Sequence, residues 1–134
     1  MEWLNKLVER KMFRIASRIA LFILAAVVAH QSLLPVGAGG KVPTAGVSSY
    51  YLHILAYLGL AVLTALSFPS SFSSSKLFLL SAVFLYGLGI EIAQTQIPGR
   101  IFSGIDIFMN GVGAFSPLAF ANSWFYSFME RFKV

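Results

Sequence analysis

The sequence predicts an all-α integral membrane protein: a four-helix bundle with both termini in the cytoplasm and a short amphipathic helix before the first span. Three observations carry this expectation. Of 134 residues, 57% are hydrophobic and 11% charged, whereas a soluble domain carries about 25% charged residues. Four segments approach the roughly 20 apolar residues needed to cross hydrocarbon. Lys and Arg are distributed unevenly between the loops that would lie on either side.

Residues 1–14 form an amphipathic segment. In "EWLNKLVERKMFRI", Trp3, Leu4, Leu7, Val8, Met12 and Ile15 fall on one side at 100° per residue, with Lys6, Glu9 and Arg10 on the other. Such a helix can lie along the inner headgroups. The four-span membrane domain follows over residues 15–122. Its spans run from about Ile15 to Leu34, Tyr50 to Phe68, Leu77 to Ile97 and Gly104 to Asn122. A basic run before the first span also fits a signal peptide. A retained anchor is preferred, and the other three spans stay in the membrane either way. "PVGAGGKVPTAGVSS" (35–49), "PSSFSSS" (69–75) and "PGRIFSG" (98–104) read as breakers, the Ser run as a solvated inner turn. The tail, 123–134, joins aromatic to basic residues and reads as an interfacial or cytoplasmic anchor.

With the N-terminus inside, the inner side holds Lys6, Arg10, Lys11, Arg14, Arg18, Lys76, Arg131 and Lys133, and the outer side only Lys41 and Arg100. The predicted location is therefore the plasma membrane, multi-pass, with both termini cytoplasmic. The same clustering turns the net charge of +5 away from nucleic acid as a partner. The absence of Cys removes disulfide and thiolate chemistry. No HExxH, GxSxG, phosphate-loop or dinucleotide pattern is present, so the sequence implies no metal and no cofactor.

Glu91 stands inside the third apolar run. A central charge costs roughly 2.5–3.5 kcal/mol, and about eleven Leu, Ile, Val and Phe residues return about 3–7 kcal/mol. The helix can insert, with Glu91 directed at a protein or water-filled interior. His53, Tyr57 and Thr64 share one face of the second span. Gly87, Glu91 and Gln94 share one of the third, and Asp106, Asn110, Gly113 and Pro117 one of the fourth. The predicted topology puts the ionisable residues of all three helices near the outer surface. A single outward cluster is expected: His53, Tyr57, Glu91, Gln94, Arg100, Asp106 and Asn110 as ligand-binding residues, with Glu91, His53 and Asp106 as candidates for catalysis. More ordinary roles stand beside these: a Glu91–Arg100 ion pair, Asp106 as a helix cap with Ser103 as the alternative, and Asn110 as an interhelical hydrogen bonder.

"HILAYLGL" (53–60) and "GLGIEIAQTQIPGRIFSGIDIFMNGVGA" (87–114) resemble the VanZ-like membrane protein family. The matching residues are His53, Tyr57, Glu91, Gln94, Pro98, Gly99, Arg100, Asp106, Asn110, Gly111 and Gly113, within residues 49–117. Where the family commonly has an Asp-Lys pair before the His, this chain has Ser49 and Tyr50. The resemblance implies a cell-envelope protein linked to low-level teicoplanin resistance.

Three functions compete. A binding protein would hold a membrane lipid headgroup or a lipid-linked envelope precursor at the outer leaflet and lower teicoplanin susceptibility. A small membrane enzyme would act on a lipid or lipid-linked precursor, with Glu91 or His53 as general base, Arg100 as phosphate clamp and Asp106 as orienting carboxylate. A proton-coupled exporter would use Glu91 as carrier; four spans are few for a complete path, so that reading requires a homo-oligomer.

Overall fold

The structure is a computed structural model that describes residues 2–35, 49–119, 127–129 and 131–132. These residues are helical with connecting turns, and no strand occurs among them. The elements are α1 (Glu2–Ser32), α2 (Ser49–Ser67), α3 (Pro69–Gln94), α4 (Gly104–Phe115) and a 3-10 turn, Ser116–Leu118. Three helices, Glu2–Ser32, Tyr50–Ser67 and Pro69–Gln94, are long and apolar enough to cross a membrane.

The first two expected spans correspond to helices, with one change. Residues 2–14 are not a separate helix: α1 runs unbroken for 31 residues, roughly 46 Å at 1.5 Å per residue. No Gly or Pro interrupts that stretch, so nothing in the backbone forces a break. Only Ser17 is buried along it, and its hydroxyl turns back to the Phe13 carbonyl on its own helix (2.9 Å).

The expected inner turn at 69–75 is helical instead. Pro69 starts α3, where its fixed φ and missing N–H are harmless. The break falls later, at Ser75 (φ −133°, ψ 35°), which kinks the helix. Ser70, Ser71 and Ser73–Ser75 are nonetheless exposed. At its other end α3 stops at Gln94, three residues short of the expected boundary.

The fourth expected span is not one long helix among the described residues. Regular α-geometry holds for 12 residues in α4, about 18 Å, and gives way to the 3-10 turn at Ser116–Leu118. Pro117 is the physical cause, since its ring clashes with the carbonyl four residues back and it donates no bond. The remainder of that span, from Phe120, lies outside the described residues, as do the loop 36–48 with Lys41 and tail residues 123–126, 130, 133 and 134.

α2 is the centre of the bundle and packs against α1, α3 and α4. It runs antiparallel to α1, with Leu24 beside Gly59 and Arg18 beside Ser67. One apolar cluster joins Tyr57, Leu60, Val83 and Ala114. A second joins Ala61, Ala65, Phe72, Leu80 and Met129. Met129 is a finding about the tail: part of the expected interfacial anchor is core. Phe132 stacks on Phe13 at 3.9 Å between centroids, and Phe128 meets both rings edge-on. The end of the chain is thereby fastened beside the N-terminal part of α1.

Candidate functional site

The site lies where the start of α2, the end of α3 and the start of α4 meet. Two close approaches bring the helices together. A Cβ on Gly87 would stand 2.6 Å from the Tyr57 ring and 2.8 Å from its hydroxyl. A Cβ on Gly113 would collide with the Ile54 carbonyl oxygen and lie 2.9 Å from Tyr57 Cβ. Small residues at these positions let the backbones close. Buried Tyr57 is thus held between α3 and α4, its hydroxyl against Gly87, one turn from Glu91. Thr64, on the same face, bonds its own helix at Leu60 (2.8 Å) and takes no part in the site.

Glu91 is 1% exposed. Its Oε1 accepts the Ser103 backbone N–H at 2.6 Å, a short charge-assisted bond. Ser103 is the cap of α4: its Oγ accepts from the Asp106 N–H at 3.2 Å. The pattern Ser-x-x-Asp is the sequence signal for this start. Asp106 is therefore not the cap, and the reading of it as a capping residue is overturned. Its carboxylate is left for His53, with Asp106 Oδ1 3.9 Å from His53 Nε2. On the other ring nitrogen, His53 Nδ1 lies 2.9 Å from Asn110 Oδ1, an interhelical hydrogen bond.

The tautomer is set by which end of the Asn110 amide faces the ring. With the amide oxygen toward His53, Nδ1 carries the proton. In the neutral ring Nε2 is then an acceptor facing a second acceptor, the carboxylate. That gap closes when the ring is protonated, or when a donor such as a hydroxyl enters between them. Both side chains are 24% exposed, so the gap can be reached from outside the protein.

The expected Glu91–Arg100 ion pair does not form. Arg100 donates instead to the Leu34 carbonyl, from Nε at 3.4 Å and Nη2 at 3.2 Å. Its Nη1 has no acceptor among the described residues. Gln94 Nε2 likewise donates to the Ser32 carbonyl at 2.9 Å. These two side chains satisfy carbonyls at the end of α1 that have no intrahelical donor. The connecting turn bends at Gly99 (φ 81°), a left-handed conformation that favours glycine. The expected residues thus divide into two sets. His53 meets both Asp106 and Asn110, while Glu91, Gln94 and Arg100 each grip backbone around them.

Sequence reasoning missed the backbone partners Ser32 and Leu34, for which it holds no signal. It also missed Tyr86, whose hydroxyl donates to the Ala25 carbonyl at 2.6 Å and ties α3 to α1. Among the described residues, no three His, Asp or Glu side chains gather as a metal site would require. Comparison with family models, curated proteins and solved structures finds no match for the chain.

Proposed function

We propose that this chain is a VanZ-like multi-pass protein of the plasma membrane, with both termini cytoplasmic, that binds a lipid headgroup or lipid-linked envelope precursor at the outer leaflet and so lowers susceptibility to teicoplanin. The observation that carries the reading is the His53–Asp106 pair. It is partly open and, in the neutral ring protonated at Nδ1, it lacks a donor between its two facing acceptors. A ligand hydroxyl supplies that donor, and Arg100 Nη1 is available for a ligand phosphate. Glu91 acts from below by fixing Ser103 and hence the first turn of α4. The family assignment rests on the ordered residues His53 to Gly113, and the outward direction on the basic residues at the opposite end.

The test is lipid profiling of the purified full-length protein beside His53→Gln and Asp106→Asn. A lipid or precursor enriched at least several-fold in the wild type and lost from both variants is the expected outcome. Identical copurifying lipids in all three would end this proposal.

A second reading has one observation in its favour. His53 has its Nδ1 oriented by Asn110 and its Nε2 turned toward the open gap, the layout of a general base. On this reading the enzyme would take its proton at His53 rather than at the enclosed Glu91. Whole-cell lipid profiles decide it: a new mass in cells expressing the wild type, absent with His53→Gln, favours chemistry, and its absence removes the enzyme.

A further inference from the structure

At the opposite end, Arg14 and Arg18 lie four residues apart and share a face of α1. Arg18 is held in place. Its Nε donates to the Ser67 carbonyl at the end of α2 (3.4 Å), and its guanidinium carbon sits 5.0 Å over the Phe68 ring. Neither Nη of Arg18 has an acceptor among the described residues. Half-buried Arg14 has neither hydrogen bond nor ion pair among them. Arg10 and Lys76, by contrast, have partners within the protein.

Position makes these open donors informative. Arg18 lies three residues inside the apolar run that begins at Ile15. Exposed Ile15, Ile19 and Phe22 flank the arginine pair on the same helix. A guanidinium at the edge of hydrocarbon is costly and is stabilised by a polar or anionic partner. The described carboxylates do not supply one: Glu2 pairs with Lys6, Asp106 faces His53, Glu91 holds Ser103, and exposed Glu9 forms no ion pair with either arginine. Arg18 is fixed with its fork pointing at no acceptor among the described residues, and a hydrophobic track runs directly beside it.

We infer that Arg14 and Arg18 form a binding site for one anionic phospholipid, with the phosphodiester on the two guanidinium groups and an acyl chain along Ile15, Ile19 and Phe22. This site is separate from the His53–Asp106 pair and stands whether or not that pair binds anything. The phosphate must be membrane-borne, because the apolar track has no use for a free anion.

Native mass spectrometry of the full chain, released from micelles containing equal phosphatidylglycerol and phosphatidylcholine of identical chains, tests this. Phosphatidylglycerol should be retained preferentially, by about five-fold per guanidinium. Arg14→Gln should cut that preference about five-fold with the thermal midpoint unchanged, since Arg14 makes no polar contact among the described residues. Arg18→Lys should also weaken it while keeping the charge, because the fork is lost. Equal retention of the two lipids overturns the site, as does a preference unchanged in both variants. So does displacement of the lipid by millimolar inorganic phosphate, which would make this a simple anion site.

Discussion

The two ends of the bundle are fastened by different means. At the end carrying His53, polar side chains bond backbone: Glu91 to Ser103, Gln94 to Ser32 and Arg100 to Leu34. At the other end, apolar groups interlock: Met129 among Ala61, Ala65, Phe72 and Leu80, and Phe13 against Phe128 and Phe132. The polar end fixes three helix termini at defined angles, which apolar packing alone does not do. With most of its polar groups so engaged, that end leaves the His53–Asp106 pair and Arg100 Nη1 with unfilled bonding capacity among the described residues. The basic end leaves Arg14 and Arg18.

Substitutions can break or sharpen this contrast. The largest effect is expected at Gly113, the pivot of the polar end. Gly113→Ala drives a methyl into the α2 backbone at Ile54, which cannot yield as a side chain can. A loss of about 3 kcal/mol should appear in unfolding by denaturing detergent. A loss below 1 kcal/mol would mean that the α2–α4 contact is looser than described.

Glu91→Leu should follow, at about 2 kcal/mol, because the Ser103 N–H is left without an acceptor. Glu91→Gln keeps an amide oxygen for that N–H and should cost less. If both variants cost the same, the carboxylate's role is not the bond to Ser103. Phe132→Ala, at the apolar end, should cost about 1 kcal/mol through the lost stack on Phe13, and protease should then cut the C-terminal segment faster. A Phe132→Ala loss larger than that of Glu91→Leu would reverse the comparison. Arg100→Lys should have the smallest effect, under about 1 kcal/mol, since an ammonium can still reach the Leu34 carbonyl. Its influence should show instead in weaker lipid copurification.

Much of the helical content was legible because apolar run length and breakers act locally. α2 lies within a residue of its expected bounds. The failures have local causes that composition hides. Pro69 and the Ser run look like a turn, yet Pro is well placed at a helix start, and only Ser75 leaves helical geometry. Pro117 looked tolerable inside a span and instead ended α4's regular geometry.

The site was legible as a membership and illegible as a set of bonds. Shared faces and an expected common depth grouped His53, Glu91, Asp106 and Asn110, because helix periodicity is a property of the chain alone. Which group takes which partner was decided in the tertiary structure. Ser103 outcompeted Asp106 for the cap and so released the Asp106 carboxylate to His53. Arg100 was drawn from Glu91 to the unpaired carbonyl at Leu34. Helix ends carry backbone groups that must find partners wherever the fold sets them down, and no spacing in the sequence records where that will be.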